Sequence, residues 1–346
     1  MKKTPPKFHP EFEPNPNWTR EYPGQEEILD YLISVAHKYQ LYKHIRFSTS
    51  VEEVRWDAPS NTWKTKITRL GAKDAEFGEH YTITSNFLVS GVGQLNVPKY
   101  PDIQGVDSFK GKSMHSARWD WDYDLRGKRI GIIGNGATAA QIIPEVAKMF
   151  KGAAVQHMET QLPGEKYKDM REKLMPKYDM GCKRVIITDD YFPTFTRENV
   201  VLETSAIKRI TEKGVEVEGE KEHEFDLLIY ATGFKTTQFM YPIKIYGTNG
   251  KSLDEIWASG ASAYLGMTIP SLPNFSMLYG PNTNLGHNSI ILMIEAQAMY
   301  INALITKIKT ARDSGHTLNI SPKQSVVDAY NADVQRRLAQ SAMRRG

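Results

Sequence analysis

Residues 109–150 read FKGKSMHSARWDWDYDLRGKRIGIIGNGATAAQIIPEVAKMF. The second half of this stretch has the order of a nucleotide-binding turn. The apolar run Ile130–Ile133 predicts a buried parallel strand. Gly134, Gly136 and Ala139 follow at G-x-G-x-x-A spacing, with Thr138 between them. After the turn, Ala139, Ile142, Ile143, Val146, Ala147 and Phe150 fall on one helical face. Gly134 would make the tight turn, and Gly136 would let the backbone approach a pyrophosphate. A small side chain at 139 lets helix and strand pack closely, while the helix N-terminus offers bare N–H donors. Gly134, Gly136, Thr138 and Ala139 are therefore candidate cofactor contacts, and the fold class expected is α/β with a Rossmann-like NAD(P)-binding domain.

The first half carries Phe109-x-Gly111-x-x-x-His115-x-x-x-Trp119-Asp120. Taken residue by residue, this is as readily a linker with buried aromatics and a hydrogen-bonded histidine as it is a site. As a whole phrase it resembles the fingerprint of type I Baeyer–Villiger monooxygenases, flavoenzymes that insert oxygen beside a ketone to give an ester or lactone. The resemblance implies that the motif couples two nucleotide domains during turnover. His115 is then its polar centre and a candidate catalytic residue.

The totals set outer limits. A chain of 346 residues can hold two domains of ordinary size. Lys and Arg number 44 against 40 Asp and Glu, and they are scattered, so no nucleic-acid partner is expected. Cys182 is the only cysteine, which excludes an internal disulfide and a cysteine metal site. No metal-spaced cluster of His, Asp and Glu is visible. The start, Met-Lys-Lys-Thr-Pro-Pro, lacks the apolar core of a signal peptide. The apolar helix expected at 289–305 carries Glu295 and Gln297, so no membrane span is expected from it. A cytoplasmic setting follows as the expectation, with a homo-oligomer left open.

Working outward, residues 1–24 hold six prolines and read as an extended arm. An amphipathic helix is expected from Gln25 to Leu41, with Ile28, Leu29, Leu32, Val35, Ala36 and Tyr39 on its apolar face. Segments 45–51, 62–67, 80–84 and 86–89 predict a β-meander whose last, buried strand delivers Gly91 and Gly93. Such a Gly-rich exit is either a place of close ligand approach or an ordinary tight turn. Beyond the central stretch, Ala153–His157 is expected as a strand closed by Glu159. An acid there could accept from a ribose 2′-hydroxyl or simply be a solvated loop residue. Residues 164–177 read as surface helix or loop, and 185–188 as a strand. A hairpin at Lys213-Gly214 precedes a strand over 225–230, which runs into Ala231-Thr232-Gly233-Phe234. An apolar strand then stops at Gly280-Pro281-Asn282. The last helix is expected to start with Ser321 as N-cap and Pro322 at its first position.

The resemblance extends from about Phe12 to Arg337, through FEPNPNW, GNGATA, GCKR, DDYFP, IYATGF, AYLGMT and LYGPNTNLGHNSI. It implies an NAD(P) domain inserted in a partial FAD-binding domain, with boundaries at 1–115, 116–235 and 236–346. It implies FAD and NADP (or NAD) as cofactors and a small-molecule ketone as substrate. By match of motif, Arg184 would stabilise the anionic oxidant and adduct, and Lys183 would assist the NADP 2′-phosphate. Thr232, Gly233 and Asn282 join the cofactor-binding candidates through the matched phrases, and Gly91 and Gly93 join them through the Gly-rich exit of their strand. Three departures stand out. Residues 1–90 contain no G-x-G-x-x-G for the FAD pyrophosphate. His157-Met158 replaces the Arg-Thr pair that would hold a 2′-phosphate. The segment between the second strand and Lys183-Arg184 is short. This chain alone is therefore expected to oxidise NADPH poorly or not at all. A flavin-independent enzyme on the same scaffold, or a nucleotide-binding homologue without catalysis, is the alternative.

Overall fold

The computed structural model describes residues 10–20, 23–69, 80–134, 136–148, 162–174, 191–284 and 289–340. The chain forms two compact units, one from Met1–Gln94 and Thr237–Ser341, the other from Leu95–Thr236 with Ala342–Gly346. It therefore leaves the first unit after Gln94 and returns to it at Thr237.

In the first unit, helix α1 spans Gln25–Lys38, with Glu26 and Glu27 in its first turn and His37 and Lys38 in its last, matching the helix dipole at both ends. The expected apolar face is covered only in part, with Ile28, Val35 and Ala36 half-buried. Leu29, Leu32 and Tyr39 are exposed, and Tyr31 is the buried residue. Tyr31 rests its ring 5.3 Å from that of Trp18 and donates its hydroxyl to the Glu13 carbonyl at 2.6 Å, so the arm is tied to the helix by an aromatic with a polar tip. Strands β1 (Thr49–Asp57), β2 (Thr62–Arg69) and β3 (His80–Ser85) form an antiparallel meander. The first strand begins at Thr49 rather than 45, because residues 41–44 close a 3-10 turn and Ser48 takes a left-handed backbone. Trp56 and Trp63 face each other across β1 and β2 with rings 5.5 Å apart. The fourth expected meander strand, β4 (Leu88–Ser90), instead leaves this sheet.

The second unit opens with β5 (Lys112–His115) and β6 (Ile130–Ile133), followed by α2 (Ala137–Lys148). A short helix α3 (Lys168–Leu174) and a single turn α4 (Tyr191–Thr194) come next. Strands β7 (Ile207–Ile210), β8 (Gly214–Val217) and β9 (Glu222–Glu224) form an antiparallel sheet turned at Lys213-Gly214. Strand β10 (Leu227–Tyr230) then inserts between β5 and β6, giving a parallel sheet in the order β5-β10-β6. Leu227, Leu228 and Ile229 have no exposed surface, as the middle strand of a sheet covered on both faces requires. Each such side chain contributes about 1.5–3 kcal/mol of transfer free energy. The expected strand over 225–230 starts two residues late because the Asp226 carboxylate turns to accept from the Arg129 backbone N–H and guanidinium.

Back in the first unit, β11 (Lys244–Tyr246) joins the meander in parallel with β1. The turn α5 (Leu253–Ile256) carries a capping box between Ser252 and Glu255. Strand β12 (Phe275–Met277) pairs in parallel with β4, its ladder extended by Leu88 N–H to the Asn274 carbonyl at 3.0 Å and Leu278 N–H to the Ser90 carbonyl at 2.8 Å. Helices α6 (Ile290–Asp313) and α7 (Gln324–Ala339) complete the unit. Helix α6 is long and apolar enough, by length and composition, to cross a membrane. Its Glu295 nevertheless accepts the Glu11 N–H, and its buried Gln297 accepts the Tyr279 N–H, so polar residues on it serve this fold. Helix α7 starts at Gln324 with Lys323 as N-cap, not at Pro322. Asn274 exchanges hydrogen bonds with Ile320, its Oδ1 accepting from Ile320 N–H and its own N–H donating to the Ile320 carbonyl, which holds the approach to the helix extended.

Candidate functional site

The register of the parallel sheet decides where chemistry can occur in the second unit. His115 and Ile133 both lie opposite Tyr230, so all three strands end at one level. From that edge leave residues 115–117, the turn that opens at Gly134, and Ala231-Thr232-Gly233. Ligands in open parallel sheets bind outside this carboxyl edge, where a following helix also presents its N-terminus.

Gly134 has φ +122°, and a Cβ built there would stand 2.4 Å from the Ala231 carbonyl oxygen. Only glycine permits β6 and β10 to exit so closely. Gly136 is different: a Cβ there would meet nothing within 4 Å, so its backbone faces open space. Ala139 is fully buried, which brings α2 close against its neighbours, while Thr138 is partly exposed on the first turn. That turn holds no acidic side chain, leaving the positive end of α2 for an anion. Asn135 and the end of the predicted helix face, Val146, Ala147 and Phe150, lie outside the residues whose side chains are described.

His115 has no exposed surface. Its Nδ1 lies 3.1 Å from the Ala117 backbone N–H, and its Nε2 3.0 Å from the Gly233 carbonyl oxygen. Because an N–H can only donate, Nδ1 is the acceptor and Nε2 carries the proton. Burial holds the imidazole pKa below its ordinary value, with the nearby Arg118 cation adding to this and the bond to Gly233 opposing it. The Gly233 oxygen also accepts the Lys99 N–H at 2.8 Å, Thr232 Oγ1 donates to the Lys99 carbonyl, and Lys235 N–H donates to Val97 at 2.9 Å. The rings of Tyr100 and Phe234 meet the imidazole in T-shaped contacts, with centroids 5.3 and 5.9 Å from its own. His115 thus fastens the Ala231–Phe234 turn and the segment 97–100 together. The rest of the motif divides between the two faces of the sheet: Phe109 packs with Leu228 and Tyr230, and Trp119 with Met114, Leu227 and Ile229.

In the first unit, the parallel pair β4 and β12 likewise ends at one edge. Gly91 and Gly93 leave β4 with open space where a Cβ would be, and Gly93 has φ +68°. Asn282 leaves β12 in a left-handed backbone, exposed, its Oδ1 3.4 Å from Gln335 Nε2. Between them stands Tyr279, which hydrogen-bonds Gln94, Asn284 and Gln297. Sequence reading met Tyr279 only inside the phrase LYGPNTNLGHNSI and Gln297 only as a polar residue on an apolar helix, and neither has a spacing that betrays the bond between them. Lys183, Arg184, Cys182, His157, Met158, Glu159 and the strands expected at 153–157 and 185–188 lie outside the described residues. Among the described residues, no group of three or more His, Cys, Asp or Glu could hold a metal ion.

Comparison with known proteins agrees with this geometry. A flavin-binding monooxygenase-like family model matches residues 8–157. An FAD-binding monooxygenase of Aspergillus niger, ktnD, is 43% identical over 396 residues, covering 96% of this chain. The chain spans 65% of that relative's length. The aligned stretch is itself longer than the 346 residues here, so the relative carries residues inside it that this chain lacks. The OTEMO complex with FAD and NADP shares the fold, with TM-score 0.80 and 24% identity over 94% of this chain and 78% of its own. A Baeyer–Villiger monooxygenase of Pseudomonas aeruginosa is 31% identical, covering 95% of this chain and 72% of its own length. With that identity over most of both chains, and with the His115 motif closed onto Gly233, the chain belongs to the Baeyer–Villiger monooxygenase family.

Proposed function

We propose that this chain serves a Baeyer–Villiger oxygenation, in which a ketone, O2, NADPH and a proton give an ester or lactone, NADP⁺ and water. The observation that carries this reading is the bond from His115 Nε2 to Gly233 O beside the open turn at Gly136. The fingerprint histidine is spent on holding a nucleotide-binding edge rather than on free acid–base work. The second unit fits a dinucleotide: Gly136 admits a pyrophosphate, and the first-turn N–H groups of α2 would donate to it. FAD, when bound, supplies the passage of electrons from NADPH to O2 and the oxygen transfer itself. Among the described residues, the loops that begin at Gly91 and Tyr279 would hold its ring. Arg184 is proposed to hold the developing anion through a permanently charged, planar set of donors, and Lys183 to face the nicotinamide nucleotide. With His157-Met158 where a bidentate arginine would serve a 2′-phosphate, preference for NADP over NAD is expected to be weak. The reaction is proposed to take place in the cytosol, where a lone Cys182 stays reduced.

A second reading uses the nucleotide turn at Gly134, Gly136 and Ala139 without a flavin. A flavin-independent enzyme or a nucleotide-binding homologue would share the scaffold without the colour. The deciding experiment is the visible spectrum of the purified chain titrated with FAD, followed by NADPH and a panel of methyl ketones with products identified by mass spectrometry. A bound-flavin spectrum and ester formation support oxygenation. A colourless protein that binds NADPH and forms no ester overturns it in favour of the second reading.

A further inference from the structure

The end of β12 holds a residue in a conformation that L side chains avoid unless their contacts impose it. Tyr279 has φ +56°. Its backbone and its side chain make three hydrogen bonds. Its backbone N–H donates to Oε1 of the buried Gln297 at 2.9 Å, which ties it to α6. Its hydroxyl accepts from Gln94 Nε2 at 2.9 Å and donates to Asn284 Oδ1 at 2.6 Å. Gln94 lies on the loop that leaves β4 through Gly91 and Gly93, and Asn284 on the loop that leaves β12 through Gly280 and Asn282. The two strands are hydrogen-bonded in parallel, so both loops rise from the same edge. One phenol oxygen therefore straps together two loops that the strands alone would leave independent.

We propose that Tyr279 is a positioning residue for a bound flavin, setting the backbone N–H groups of the 91–94 and 280–284 loops toward the ring before it arrives. The inference rests on the oxygenase reading above. Preorganised loops bind more tightly than loops that must be ordered on binding. Removing the hydroxyl leaves the left-handed turn and the bond to Gln297 in place but cuts the strap.

The test combines amide hydrogen exchange on the full chain without cofactor and fluorescence titration with FAD, for wild type, Tyr279→Phe, Gln94→Leu and the double variant. Far-UV circular dichroism checks that each folds. Tyr279→Phe should speed exchange at 91–95 and 280–284 about tenfold, leave the parallel sheet of the second unit unchanged, and raise the FAD Kd roughly tenfold to thirtyfold, as loss of two neutral hydrogen bonds allows. Gln94→Leu should reproduce this in part, and the double variant should show less than the sum, as two changes on one bridge do. Unchanged exchange at 91–95 in Tyr279→Phe overturns the strap. Wild-type FAD binding that Tyr279→Phe leaves unaltered overturns the positioning role alone. An exchange response in a wild-type chain that binds no FAD overturns the flavin reading itself, and the positioning role with it.

Discussion

The imidazole Nε2 of His115 lies 3.0 Å from the Gly233 carbonyl oxygen, and that same oxygen accepts the Lys99 N–H at 2.8 Å. Both lone pairs of one carbonyl are thereby used, by a side chain at the end of β5 and by the segment that brings the chain into the second unit. On its other side the imidazole accepts the Ala117 N–H.

Replacing His115 consequently has effects beyond an empty space. His115→Ala removes a buried ring packed between Tyr100 and Phe234 and leaves the half-buried Ala117 N–H without its acceptor. The expected loss of stability is about 2–4 kcal/mol, from the cavity and the unpaired donor together. His115→Gln, which keeps a donor and an acceptor on one side chain, should recover part of it. Urea unfolding of the three proteins measures this, and equal midpoints for His115→Ala and wild type would show that the bonds carry no weight.

The same ring sets an acid limit. Its folded pKa is held below the ordinary value of 6.5, chiefly by burial, so the unfolded chain binds a proton there more readily. The stability it contributes is complete above about pH 6.5 and declines as pH falls from there toward the folded value. A protonated Nδ1 would also point a proton at the Ala117 N–H. A second loss is expected lower down. Glu203, held at about 2 first by the Ser205 backbone N–H and then by further bonds that include His223, contributes stability that is complete above 4.5 and lost as pH falls toward 2. Melting temperature recorded from pH 8 to pH 3 should show both declines, and His115→Gln should lack the upper one.

The parallel edge in the second unit was legible because its signals are local. Ile130–Ile133, Gly134, Gly136 and Ala139 follow one another within ten residues, and each has a single backbone consequence. The course of β4 was not legible. Its apolar residues suit a meander strand as well as a buried parallel one, and its partner Phe275–Met277 lies far along the chain. The start of α7 was misplaced for a similar reason. Ser321-Pro322 is a good local beginning, but Asn274, distant in sequence, holds Ile320 extended. The apolar face read on α1 is covered only in part, at Ile28, Val35 and Ala36, since periodicity marks which residues share a face and not whether anything covers it. The Tyr279 bridge joins residues 94, 279, 284 and 297, a set that no window of sequence contains.

Packing in the first unit depends on Trp63. It has no exposed surface, its ring meets Trp56 and Phe275 at 5.5 and 6.0 Å, and its Nε1 donates to the Pro273 carbonyl at 2.9 Å. It thus joins the meander to the approach of β12. Trp63→Phe should destabilise by about 2–3 kcal/mol through lost volume and an unpaired carbonyl. The urea midpoint should fall with little change in slope. A shift under 0.5 kcal/mol would mean that the neighbouring side chains refill the site.

The two glycines of the nucleotide turn should fail in different ways. At Gly134 an added Cβ collides with the Ala231 carbonyl at 2.4 Å, and φ +122° is closed to alanine without strain. Gly134→Ala should therefore destabilise the protein by about 2 kcal/mol or more, and lose nucleotide affinity only as a consequence of the displaced strands. At Gly136 an added Cβ meets nothing within 4 Å, so Gly136→Ala should change stability by about 0.5 kcal/mol or less. Its methyl group instead occupies the space a pyrophosphate needs. Isothermal titration with NADPH should show the Kd raised at least about tenfold in Gly136→Ala, at an unchanged melting temperature. If Gly136→Ala binds NADPH as wild type does, the open side of this turn is not where the phosphates lie, and the nucleotide site must be sought elsewhere on the carboxyl edge of β5, β10 and β6.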